Sequence, residues 1–90
     1  MLLEKTECVR CRDEAEATNV VNYLLFEDGQ ETLPRYYLLD GLQYVFYSQY
    51  GDGIAVSRDY GDKTIISYEK FMQRVESQNA EFSVTLDALL

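Results

Sequence analysis

An α+β fold is expected from this chain on three observations. The apolar period alternates between two and 3.6 residues along its length, pairs of turn-forming residues interrupt the period-two stretches, and acid- or serine-capped helical stripes lie on either side of them. Ninety residues are too few for two independent cores, so one domain is expected. An apolar fraction of 47% with one proline is enough to fill such a core and argues against disorder. The predicted order is an N-terminal strand and helix, an antiparallel β-meander, a second helix, and a C-terminal segment suited to an edge strand.

Thr6 to Arg12 alternates, with Val9 and Cys11 on one side and Cys8, Arg10 and Arg12 on the other, as a half-buried strand does. Asp13 is placed to cap a following helix, and Glu16 three residues on completes a capping-box pattern. Ala17, Val20, Val21, Leu24 and Leu25 form one apolar stripe, and Gly29 is the expected stop. Gln30 to Pro34 reads as a connection. Arg35 to Leu39 and Leu42 to Gln49 then flank Asp40-Gly41, the signature of a two-residue hairpin. On the second of these strands Leu42, Tyr44 and Phe46 share one face, opposite Gln43, Val45, Tyr47 and Gln49. Gly51-Asp52-Gly53 and Asp59-Tyr60-Gly61-Asp62 are further turns around strands Ile54 to Arg58 and Lys63 to Ser67. Ser67 can cap a helix carrying Tyr68, Phe71, Met72 and Val75, expected to fade by Asn79. Phe82 to Leu86 alternates again, which suggests the edge strand.

The chemistry-bearing residues point away from catalysis. Histidine, the usual general base and metal ligand, is absent, and no constellation of nucleophile and base is visible. Cys8 and Cys11 supply half of a zinc set, and residues three apart on a strand point to opposite faces, roughly 10 Å apart and too far for a disulfide. No metal and no cofactor is therefore expected. Gly51-Asp52-Gly53 lacks the lysine and helix N-terminus of a phosphate loop. Asp52, Asp59 and Asp62 lack the spacing of a calcium loop and read as solvated turn residues. Apolar runs are too short to span a bilayer, and the N-terminus has no signal-like segment, so a cytoplasmic location is expected.

Sixteen acidic side chains against eight basic ones give a net charge of −8, which repels nucleic acid and anionic lipid and favours a basic protein partner. Carboxylates can mimic nucleic-acid phosphates, and Tyr36, Tyr37, Tyr44, Tyr47, Tyr50 and Tyr60 exceed what a small core buries with satisfied hydroxyls, so some are expected at an interface. The expected contact residues are Asp13, Glu14, Glu16, Glu27, Asp28, Glu31, Tyr47, Tyr50, Asp52, Asp59, Tyr60 and Asp62. Another class of function, a sponge for a small nucleotide at a dimer interface, would require Arg10, Arg12, Arg35 and Arg58 to converge on phosphates. A hydrolase built on Asp52, Asp59 and Asp62 is the third. The apolar residues of 82–90 need cover, and a homodimer closed by that tail would provide it.

Val9-Arg10-Cys11-Arg12-Asp13-Glu14-Ala15-Glu16-Ala17 near the start and Thr64-Ile65-Ile66-Ser67-Tyr68-Glu69-Lys70-Phe71 near the end resemble segments of small acidic proteins encoded by bacteriophages and other mobile elements. The resemblance covers both flanks and not the middle. It implies an inhibitor of host defence nucleases, anti-CRISPR proteins included, and it transfers no catalytic residue. An immunity protein for a basic toxin nuclease is the nearest variant of that reading.

Overall fold

Strand β1 (Glu7–Cys11) leads into helix α1 (Glu14–Glu27), followed by β2 (Gln43–Tyr47), β3 (Ile54–Ser57), β4 (Thr64–Ser67) and helix α2 (Tyr68–Leu89). The computed structural model describes residues 2–27, 38–48 and 53–89, with side chains described as far as residue 78. The fold is α+β, and the strands form one sheet in the order β3-β2-β1-β4. β1–β2 and β2–β3 are antiparallel, whereas β1–β4 is parallel, so the sheet is mixed where a meander was expected.

The local signals work as physical chemistry dictates. Asp13 Oδ1 accepts the Glu16 N–H at 2.9 Å, the N-cap bond that satisfies an otherwise orphan donor. The reciprocal half of the capping box is shifted by one residue, because the Glu16 carboxylate accepts the N–H of Arg12 at 2.9 Å. Ala17, Val20, Val21 and Leu24 then bury against the sheet. Ser67 Oγ caps α2 by accepting the Lys70 N–H at 3.1 Å, and Phe71 and Val75 bury beside α1. Val9, Cys11, Val45 and Ile66 face the helices, and Leu2 and Leu3 close the core from the N-terminal segment.

Three expectations fail, two through competition for a partner strand and one through helix propagation. Leu38 and Leu39 are not strand, and 35–37 lie outside the described residues, as do Gly29 and 30–34. A hairpin at Asp40-Gly41 would need a free side of β2, but β1 and β3 occupy both. The buried Gln43 side chain instead provides the hydrogen bonds a partner strand would have made: it accepts the Leu39 N–H at 2.9 Å and donates to Leu39 O at 2.6 Å and Gly41 O at 2.9 Å. Gly41 takes φ 73°, a conformation that costs glycine little. Secondly, Asp59 to Asp62 is not a hairpin turn, since β4 pairs with β1. Thirdly, the chain stays helical from Tyr68 to Leu89, past Asn79, so the tail forms no edge strand. Once a helix is nucleated each further residue adds a hydrogen bond, and no glycine or proline follows Gly61 to stop it.

The N-terminal segment is held by charge. Arg74 Nη1 donates to Leu2 O at 3.0 Å and to Glu7 Oε1 at 2.9 Å, while Nη2 donates to Glu7 Oε2 at 3.0 Å, a bidentate pair. The Glu27 carboxylate accepts the Leu2 N–H at 2.9 Å.

Two outcomes follow from these contacts. Gln43→Leu leaves the Leu39 peptide groups without their partner and is expected to lower stability by about 1–3 kcal/mol in urea denaturation. The hydrogen bonds from Arg74 hold the Glu7 carboxyl at about 2, below its ordinary 4.5. A depressed carboxyl stabilises fully above its unfolded value and loses that contribution as pH falls through the folded one. Arg74→Met should therefore cost about 1–2 kcal/mol near neutrality, with partial exposure of the arginine discounted, and the gap from wild type should close as pH falls from about 5 toward 2.

Candidate functional site

The site follows from the sheet order. β3 ends at Ser57 opposite Tyr44, and β4 begins at Thr64 opposite Glu7, on the far side of β2 and β1. Both strands run in the same direction, so the segment 58–63 must cross the sheet diagonally, over three interstrand gaps of about 4.8 Å each. Parallel strands are usually joined by a dozen or more residues with a helix among them. Here a short irregular strap does it.

The side chains place that strap on the face opposite the helices. Tyr44 and Phe46 alternate with the core-facing Gln43, Val45 and Tyr47, and it is these two that the strap meets. The Tyr60 ring stands edge-on to Tyr44 with centroids 5.0 Å apart, and Lys63 Nζ lies 5.2 Å from the Phe46 ring centre. Lys63 Nζ also donates to Lys5 O at 2.7 Å, and the Lys63 N–H to Tyr60 O at 3.1 Å. Asp59 Oδ1 accepts the Gly61 N–H at 3.1 Å, and Gly61 turns the chain at φ 59°. Between strap and sheet is an open cleft of about 370 Å³, lined by Phe46, Ser48, Asp59, Tyr60, Gly61, Asp62 and Lys63. Asp59, Tyr60 and Asp62 are exposed on its rim.

Of the residues expected to bind a partner, the structure brings Asp59, Tyr60 and Asp62 together in this strap. Asp13, Glu14 and Glu16 gather separately at the β1–α1 junction. There Arg12 Nη2 bridges Glu16 at 2.6 Å and Glu69 at 2.9 Å, and its hydrogen bonds hold the Glu16 carboxyl below the usual range. Glu27 is at the other end of α1, engaged with Leu2. Tyr47 is half-buried against the helix-side core and thus faces away from the strap. Asp28, Glu31, Tyr50 and Asp52 lie outside the described residues, together with Tyr36 and Tyr37. Sequence reasoning missed Phe46 and Lys63 as the strap's anchors, although Phe46 shares the Tyr44 face in the period-two pattern.

Of the arginines a nucleotide sponge would require, Arg10, Arg12 and Arg58 are among the described residues. Arg10 and Arg12 border a hollow of about 190 Å³ with Ser67, Tyr68 and Glu69, where Arg12 is already neutralised. Arg58 lies past the end of β3, donating to Leu42 O at 3.4 Å, and Arg35 is outside the described residues. Among the described residues no group of three acidic or thiol side chains could hold a metal, and no helix is long and apolar enough to cross a membrane. Cys8 and Cys11 are free thiols on opposite faces of β1, both fully buried. Burial pushes Cys11 up to about 12, reinforced by Glu16 and Asp13. Burial also raises Cys8, while the nearby Lys63 charge partly opposes it.

The chain matches no known protein family, and comparison with curated proteins and with solved structures likewise finds no match.

Because only the thiolate reacts and both thiols are buried and raised, neither should be alkylated in the native protein at mildly alkaline pH. Tyr60→Ala removes an aromatic pair worth about 1 kcal/mol from the strap, so Cys8 labelling should quicken roughly fivefold while Cys11 stays protected. Peptide mapping of the alkylated protein reads both sites.

Proposed function

We propose that this protein is a non-enzymatic, acidic binding protein of the phage-encoded type, an inhibitor that docks on a basic, nucleic-acid-handling host defence protein through the strap face. The observation that carries the reading is the exposed Asp59-Tyr60-Gly61-Asp62 turn, which sets two carboxylates beside a tyrosine 40% exposed on an otherwise anchored sheet face. Such a patch combines charge that steers encounter with an aromatic that can bury area at low entropic cost. Of the cations near it, Lys63 is engaged with Lys5 O and the Phe46 ring, and Arg58, exposed past the end of β3, donates to Leu42 O. Arg12 and Arg74 are in ion pairs with Glu16, Glu69 and Glu7, and the chain as a whole carries a net charge of −8. The anti-CRISPR-like resemblance of the flanking segments supplies the partner class.

The test is a plasmid-interference assay across bacterial CRISPR and restriction systems, followed by titration of the purified effector that responds. The expected result is loss of interference with at least one system, together with binding that weakens as salt rises. The Asp59→Asn/Asp62→Lys double variant keeps an amide oxygen for the Gly61 N–H. It should bind roughly tenfold or more weakly at unchanged stability, mostly through a slower on-rate. Full interference with every system, with no effector bound at low salt, would sink the proposal.

A further inference from the structure

β4 is an edge strand, and among the described residues no strand pairs with its outer side. The Thr64 N–H donates to Thr6 O at 2.8 Å, toward β1. Backbone groups alternate along a strand, so those of Ile65 and Ser67 point outward, away from the sheet. Natural edges are usually blunted by a charge, a proline or a bulge. The edge Thr64-Ile65-Ile66-Ser67 has none of these, and Ile65 is 40% exposed on the strap side of the sheet.

We propose that β4 pairs antiparallel with β4 of a second copy about a two-fold axis at Ile65, joining the two sheets edge to edge. Three features choose a second copy over another occupant. The register is self-complementary: Ile65 opposes Ile65 of the second copy, the two exchange N–H and C=O bonds, and each covers the other's exposed side chain. Each Ser67 N–H then reaches the other copy's Lys63 carbonyl. The alternative register centred on Ile66 would aim the Ile65 N–H at the Ser67 carbonyl, which belongs to the first turn of α2, so it makes fewer bonds. Finally, the edge is locally neutral although the chain carries −8. An antiparallel pairing sets the Asp62-Lys63 end of one strand beside the Glu69-Lys70 end of the other, opposite charges within reach of each other. The face of the joined sheet would carry two straps side by side, so two sets of Asp59, Tyr60 and Asp62 share one surface. The pairing stands whether or not that surface binds a defence protein.

Light scattering of the full chain, from low micromolar to near-millimolar concentration, is the test. A dimer is expected for the wild type, with Ile65→Lys weakening dimerisation roughly tenfold or more at an unchanged circular dichroism spectrum. Hydrogen exchange on the wild type provides a readout independent of any variant: the amides of Ile65 and Ser67 should become more protected as concentration rises. A wild type monomeric throughout the range overturns the proposal and leaves the edge to an extended segment of a different protein. A dimer with no concentration-dependent protection at Ile65, or one unmoved by Ile65→Lys, overturns it as well.

Discussion

When β4 hydrogen-bonds to β1 and not to its neighbour in sequence, β3, the chain has to travel from one edge of the sheet to the other without a helix to carry it. That constraint decides what the open face looks like. The strap can only run diagonally, so Tyr60 lands on Tyr44 and Lys63 lands over Phe46, while Cys8, near the Lys63 charge, is sealed from water. The same pairing sends the chain directly from Ser67 into α2 beside α1, where Phe71 and Val75 complete the core around Val9 and Val45.

Charge is divided accordingly. Where acids and bases meet at seams between elements they act as fasteners: Glu7 with Arg74 binds β1 to α2 and the N-terminal segment, and Arg12 links α1 through Glu16 to α2 through Glu69. Asn19 Nδ2, donating to the Tyr68 hydroxyl at 3.0 Å, adds a neutral tie between the two helices. These seams take up Arg12 and Arg74. Acids without such duties are left on the outside.

Local structure was legible in the sequence because its determinants are local. The alternation of Val9 and Cys11 against Cys8 and Arg10, the Asp13 cap with its stripe to Leu24, and the Ser67 cap before Phe71 each depend on residues within a few positions. Pairing partners were not legible, since a period of two says which face a residue takes and nothing about which strand lies beside it. Asp40-Gly41 has the composition of a hairpin turn, and Gly41 does adopt positive φ, yet the decisive residue is Gln43, two positions on, a polar side chain at a core position of an aromatic strand. The tail misled for a related reason: Phe82 to Leu86 alternates, but Val75, Phe82 and Leu89 also recur every seven residues, and continuity with an existing helix chooses between the two periods. The acidic set was legible as composition only. Its division into a strap, a helix cap and an N-terminal clamp required the fold.

Within the strap, Asp59 and Lys63 both carry charge and hold the turn, whereas Asp62 only displays charge. Tyr60, Gly61 and Lys63 anchor it through a ring contact, a positive φ and two hydrogen bonds, while Asp59 stiffens the turn by accepting the Gly61 N–H. Asp62 makes no hydrogen bond or ion pair with the described residues, so its carboxylate contributes to the surface field and little to the fold. A surface built this way can change its charge without unfolding the domain, because the segment is fixed by aromatic and backbone contacts that a substitution at Asp62 does not touch.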